Sequence, residues 1–127
     1  MKKLIPQSLK ILVIDDEQTT KMYSKFFSAK GFEIIVTSDP IEGLNLIRSE
    51  KFDVILLDIP TSLINGFSII ELLAGEDTLK NQNIFICSVV QIPEVQLKNW
   101  LRRDGIREFI KKPVNLDELF SRITKIV

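Results

Sequence analysis

The chain contains no histidine, and it has one cysteine, one tryptophan and one tyrosine among its 127 residues. Without histidine, a His-ligated metal, a Ser-His-Asp triad and a phosphohistidine relay within the chain are excluded. The lone cysteine, Cys87, cannot close an internal disulfide, which fits a reducing compartment. Its place inside an apolar run reads as a small buried hydrophobe, not as a nucleophile. Seventeen basic residues balance seventeen acidic ones, so no basic excess points to non-specific nucleic-acid binding. The small basic cluster Lys98, Arg102, Arg103 and Arg107 reads as a solvated face. No apolar run nears the roughly 18 residues of a membrane span. The start, Met1-Lys2-Lys3-Leu4-Ile5-Pro6, is not read as a signal peptide, because no long apolar stretch follows its basic residues. Repeats, low-complexity segments and Gly/Ser-rich linkers are also missing.

With 45% apolar and 27% charged residues, the chain can build one core and stay in solution. Short apolar runs alternate with amphipathic stretches. Lys10 to Asp15, Glu33 to Thr37, Phe52 to Asp58, Asn83 to Ser88 and Ile106 to Lys111 read as strands. Thr19 to Lys30 reads as a helix, with Met22 and Phe26, and Tyr23 and Phe27, at i,i+4 spacing, and with Gly31 as its stop. Asp39-Pro40 marks the start of a second helix, with Ile41, Leu44 and Ile47 on its apolar face. Asn65-Gly66 reads as a loop before a third helix lined by Phe67, Ile70 and Leu73. A fourth helix spans Pro93 to Asp104 and carries Leu97, Trp100 and Leu101. Trp100 there is either a core contact or a partner anchor, and the core reading is favoured. Asn115 caps the last helix, with Glu118 three residues on in a capping-box arrangement.

Five βα units in a row follow. Near-continuous apolar strands imply burial on both faces, and right-handed crossovers place helices on both sides of the sheet. The expected fold is a three-layer, doubly wound α/β domain.

Four of the strands end in polar residues that suit one reaction: Asp15-Asp16, Asp58, Ser88, and Lys112 beyond Lys111. In a parallel sheet these ends share one edge, where ligands of open α/β sheets bind. Adjacent carboxylates repel unless a cation sits between them, and hard oxygen ligands in an open crevice favour Mg²⁺. A single aspartate at a helix start is read as a cap, whereas a pair facing Asp58 is read as holding a metal. Beside a metal, Asp58 can attack phosphorus as a nucleophile to give an acyl phosphate. Ser88 can donate a hydrogen bond to a phosphoryl oxygen. Lys112 and Lys111 compete as the ammonium that reaches it, and strand alternation favours Lys112.

In these residues the chain resembles the receiver domain of two-component response regulators. The resemblance spans Leu9 to Val127, with residues 1–8 as an N-terminal extension. It is carried by Ile11-Leu12-Val13-Ile14-Asp15-Asp16-Glu17, by Asp58, by Asn65-Gly66 where the family usually has Asp-Gly, by Ser88, by Phe109 and by Lys112-Pro113. It implies a flavodoxin-like (βα)5 fold with strand order 2-1-3-4-5. It implies Asp58 as phosphoacceptor, assisted by Ser88 and Lys112. Mg²⁺ would be held by Asp16, Asp58 and the backbone carbonyl of Pro60, with Asp15 acting partly through water. The donor would be a sensor histidine kinase or phosphotransfer protein, with acetyl phosphate as a small substitute. Ser88 and Phe109 would form the switch, read on the face of the fourth helix, fifth strand and fifth helix by an effector or a fused output domain. The implied protein is a cytoplasmic signalling domain and not an enzyme, without membrane or direct nucleic-acid contact of its own, and a homodimer is compatible with it. The alternative within the family is a degenerate receiver that binds a partner without phosphorylation.

Two other classes fit less well. A haloacid dehalogenase phosphatase needs a second Asp two residues after its nucleophile, where Pro60 stands, and carries that nucleophile on the first strand. A flavodoxin needs a hydroxyl-rich phosphate loop after the first strand, where Asp15-Asp16-Glu17 would repel phosphate.

The chain departs from the family pattern at several positions. A proline stands at Pro60, where its fixed φ re-aims the carbonyl, while Ser62 takes the usual proline position. Val89 stands where the family prefers a small residue, and Gln91-Ile92-Pro93 suggests a longer loop. Phe109 lacks a tyrosine hydroxyl. Pro60 and Val90 occupy positions that set the hydrolysis rate in the family, and neither can orient an attacking water. The acyl phosphate is therefore expected to be long-lived. After acetyl phosphate labelling and donor removal, its decay should be slow compared with the fastest receivers, and decay at their rate would refute the expectation.

Overall fold

The computed structural model describes residues 9–58, 64–89 and 92–126, with backbone only for residues 64–68. The expected N-terminal extension and the readings at Pro60, Ser62, Val90 and Gln91 lie outside the described residues. The elements are β1 (Lys10–Ile14), α1 (Glu17–Ala29), β2 (Glu33–Thr37), α2 (Pro40–Ser49), β3 (Val54–Asp58), α3 (Ile64–Gly75), a 3₁₀ turn (Leu79–Asn81), β4 (Ile84–Ser88), α4 (Glu94–Leu101), β5 (Ile106–Lys111) and α5 (Leu116–Ile126). All neighbouring strands pair in parallel, in the order β2-β1-β3-β4-β5. This is the doubly wound flavodoxin-like fold that the sequence pattern and resemblance implied.

Side-chain alternation along the strands divides the interior into two cores. Leu12, Ile14, Ile55, Leu57, Ile84 and Ile86 pack with Leu44 and Ile47 of α2, Ile70 and Leu73 of α3, and Trp100 of α4. On the opposite face Ile11, Val13, Val54, Leu56 and Phe85 pack with Tyr23 and Phe27 of α1 and Leu119 and Ile123 of α5. The strand runs are apolar throughout because both of their faces are covered. Trp100 is 1% exposed, so it is a core contact and not a surface anchor.

Several element ends differ from the sequence reading. Helix α1 begins at Glu17, two positions before Thr19, because its cap is Asp16. Asn65-Gly66 lies in the first turn of α3 and not in a preceding loop. Helix α4 is shorter than Pro93 to Asp104, since the chain turns at Arg102 toward Gly105, which has φ +99°. Phe52 is buried but precedes the paired part of β3. The caps at Asp39 and Asn115 form as expected: the Ile41 amide donates to Asp39 Oδ1 at 2.9 Å and the Glu118 amide to Asn115 Oδ1 at 2.9 Å. The Glu118 carboxylate turns the other way, accepting from Arg122 at 2.9 Å.

Strand β5 carries an irregularity that positions the site. Ile106 pairs with Ile84, but Glu108 pairs with Phe85, so Arg107 is an extra residue in the ladder. Such a bulge shifts the pleat by one position. Ile106 and Phe109 therefore pack into the same core although they are three residues apart, while Ile110 packs into the other.

Gly105 ends the turn into β5 so tightly that an added Cβ would stand 1.8 Å from the Leu79 carbonyl oxygen. Its positive φ is a second reason for glycine there. The substitution Gly105→Ala should destabilise the fold by about 2–4 kcal/mol, read as a lowered urea midpoint.

Candidate phosphoacceptor site

The C-terminal ends of β1, β3 and β4 and the β5–α5 turn meet at one edge of the sheet. Lys112 follows β5, and its amide donates to the Ser88 carbonyl at 2.9 Å, extending the β4–β5 ladder by one step. The Lys112-Pro113 peptide is cis. From there the Lys112 ammonium lies 2.7 Å from Asp15 Oδ2 and 3.2 Å from Asp58 Oδ1. One cation thus bridges two carboxylates from different strands. Lys111 is exposed, so of the two lysines it is Lys112 that reaches the crevice.

Asp15 is buried, and its Oδ1 accepts the Asp16 amide at 2.7 Å. Burial pushes its pKa from the ordinary 3.8 up to about 6, against the hydrogen bonds from Lys112 and the Asp16 amide. The nearby Asp58 charge pushes in the same direction as burial. Burial alone would lower Lys112, but the hydrogen bond to Asp15 and the charges of Asp15 and Asp58 hold it above its usual value. The ammonium therefore stays charged between the two carboxylates.

Asp16 is arranged differently. It caps α1, with Oδ1 accepting from the Thr19 amide and Oδ2 from the Thr19 hydroxyl, both at 2.8 Å. These bonds hold its pKa below the usual carboxylate range. Among the described residues no three acidic side chains converge closely enough to hold an ion as they stand. The donor set nonetheless fits a hard divalent cation. Asp15 and Asp58 bring carboxylate oxygens to a single ammonium with Asp16 next in the chain, and Asp15 carries its charge at a cost that a cation would relieve. The fit requires Asp16 to turn from the helix toward the crevice.

Ser88 is fully buried at the end of β4, and Asp58 is in register with Cys87, one residue before it. Cys87 is itself buried, and burial pushes its thiol up to about 12, so it is a core residue and no nucleophile. Phe109 is half-buried against the α2–α3–α4 core. Val89 is 64% exposed and stands out to solvent. The basic cluster is a solvated face, as its composition suggested: Lys98 pairs with Glu94 at 3.1 Å, Arg103 with Glu71 at 3.2 Å, and Arg107 donates to Asn83 at 2.7 Å.

Two residues near the site went unread in the sequence. Thr19 holds both oxygens of Asp16, and the Asp-x-x-Thr spacing of a cap was the available signal. Tyr23, assigned only to the core, carries a buried hydroxyl with no hydrogen-bond partner among the described residues. Thr19, Tyr23, Val89 and Lys112 line a cleft of about 380 Å³ beside the crevice. Nothing in the helical spacing of Tyr23 marked it for this place.

The Asp15 shift has a sign that can be checked. A carboxyl raised in the fold contributes stability at low pH and loses it as pH rises through about 6. In buffer free of divalent ions, the stability of the wild type relative to Asp15→Asn should fall by about 2 kcal/mol between about pH 4 and about pH 7. Urea titrations of both proteins across that range check it.

Residues 11–124 match the family model described as the response regulator receiver domain. The chain is 28% identical over 119 residues to the polar-differentiation response regulator DivK of Brucella anthropi, covering 94% of each. The receiver domain of a Francisella response regulator superposes with a TM-score of 0.78 at 27% identity, over 93% of this chain and 95% of that one. Response regulator TrrA of Thermotoga maritima, crystallised with Mg²⁺-BeF, superposes with a TM-score of 0.76 at 24% identity, over 94% of this chain and 99% of that one, a likeness of fold. With the sheet order, the Lys112 bridge to Asp15 and Asp58, and a family match over nearly its whole length, the chain belongs to the receiver domains of two-component response regulators.

Proposed function

We propose that this receiver is a phosphorylation-dependent switch in which Asp58 accepts a phosphoryl group from a sensor histidine kinase or a phosphotransfer protein. The observation that carries the reading is the Lys112 ammonium, 3.2 Å from Asp58 and 2.7 Å from Asp15. An ammonium held there offsets charge on a phosphoryl group arriving at Asp58. The Asp58 carboxylate attacks phosphorus and the bond to the donor breaks, leaving an acyl phosphate. Asp15, Asp16 and Asp58, with the backbone carbonyl of Pro60, are the residues to hold Mg²⁺, which when bound neutralises charge on the transferring group.

Ser88 is buried one residue past the strand partner of Asp58, and its hydroxyl is the donor to a phosphoryl oxygen. Phe109 follows on β5, half-buried against the same core as Ile86, its strand partner. A shift of Ser88 toward phosphate frees space that Phe109 enters, and the α4–β5–α5 face changes its affinity for an effector or an attached output domain. The domain, residues 9–127, promotes its own phosphorylation and dephosphorylation without being an enzyme on an external substrate. Among the described residues no helix is long and apolar enough to cross a membrane, and a cytoplasmic location suits a partner of kinases. A homodimer through the switching face is compatible with the role.

Treating the chain with acetyl phosphate and Mg²⁺ should yield a species retarded on a Phos-tag gel, lost on hydroxylamine treatment and absent from Asp58→Asn. Lys112→Ala should label at least about tenfold more slowly, as removal of one charged transition-state contact does. A retarded band that persists in Asp58→Asn overturns the assignment of Asp58. No band in either protein favours the degenerate receiver.

A further inference from the structure

Asp16 caps α1, and the proposed cation calls on the same carboxylate. As the cap of α1 it gives Oδ1 to the Thr19 amide and Oδ2 to the Thr19 hydroxyl, each at 2.8 Å. Both oxygens of its neighbour Asp15 are also engaged, Oδ1 by the Asp16 amide and Oδ2 by Lys112, both at 2.7 Å. The two differ in exposure. Asp15 is buried in its arrangement, whereas Asp16 is exposed and turns without opening the core. In its capping position Asp16 does not complete a three-carboxylate group with Asp15 and Asp58. A cation among the three must draw Asp16 away from the helix.

We propose that the α1 cap and the divalent cation compete for the Asp16 carboxylate, and that the Thr19 hydroxyl, by holding Oδ2, sets the ion concentration at which the crevice fills. This rests on reading the crevice as a Mg²⁺-dependent phosphoacceptor site. Thr19 is a positioning residue that acts through Asp16. Its two bonds are chemically separable: the amide belongs to the backbone and survives any side-chain change, while the hydroxyl can be removed alone. Thr19→Val keeps the side-chain shape and loses only the donor. Thr19→Ser keeps the donor and loses the methyl. The carbonyl of Asp16 accepts the Thr20 amide at 2.9 Å, so the first backbone turn of α1 does not depend on where the Asp16 side chain points. Hydrogen bonds to a charged acceptor are the stronger kind, and solvent exposure here reduces what this one withholds from the ion.

The test uses the full chain and Mn²⁺, with free ion followed by electron paramagnetic resonance. Thr19→Val and Thr19→Ala should each bind Mn²⁺ about three- to tenfold more tightly than the wild type. Thr19→Ser should stay within about twofold of it. In the wild type, addition of diamagnetic Mg²⁺ should move the Thr19 amide proton resonance upfield and speed its exchange with solvent, because that amide loses its acceptor. A role confined to helix stability would leave ion affinity untouched. Wild-type or weaker Mn²⁺ affinity in Thr19→Val and Thr19→Ala overturns the proposal. So does a Thr19 amide that keeps its shift and protection in saturating Mg²⁺. In both cases ion binding itself stands, and with it the phosphoacceptor reading. If all the variants and the wild type leave Mn²⁺ free, the metal reading falls and this proposal with it.

Discussion

The ammonium of Lys112 joins parts of the chain that are far apart in sequence. Asp15 and Lys112 are 97 positions apart, yet their side chains are 2.7 Å apart. Two carboxylates so near each other at the edge of a buried sheet repel, and desolvation raises the cost of each charge. A single cation between them makes the arrangement tolerable. It does not make it neutral: Asp15 remains pushed up, chiefly by its burial, while Lys112 is held charged. The crevice is left short of positive charge, which suits a hard divalent cation.

That bridge depends on a scaffold with little freedom of its own. Two apolar cores clamp the sheet from opposite faces, one built from α2, α3 and α4 and the other from α1 and α5. Parallel pairing fixes each strand end relative to the next, so Asp15, Asp58, Ser88 and Lys112 reach one edge through register alone. The cost of concentrating acidic groups there is met by burial elsewhere. Tyr23 and Phe27, both almost fully buried, anchor α1 beneath the crevice. Helix α1 thereby brings its capping Asp16 to the same edge.

Much of this was legible in the sequence, for physical reasons. Strands buried on both faces leave continuous apolar runs, and the polar residue ending each run marks where the sheet meets solvent. Asp15, Asp58 and Lys112 could be found that way, and alternation from Phe109 separated Lys112 from Lys111. The family resemblance supplied the strand order, which spacing alone does not contain. The sequence set a helix cap against a metal ligand at the acidic pair and favoured the metal, but it did not identify Thr19, through which Asp16 caps α1. Whether such a carboxylate caps or ligates depends on side-chain rotation, which spacing does not encode. The start of α3 at Ile64 escaped as well, because Asn65-Gly66 has the composition of a turn.

The surplus residue in β5 carries a further meaning. Counted from Ile106 with strict alternation, Phe109 would face away from Ile106, toward α1 and α5. Arg107 absorbs one step of that count, so the strand starts in one phase and finishes in the other. Ile106 and Phe109 therefore both answer to the core around Trp100, while Ile110 answers to the opposite one. Arg107 works as a phase corrector between the two. It frees the side-chain phase at one end of a six-residue strand from the phase that aims the lysine beyond its other end.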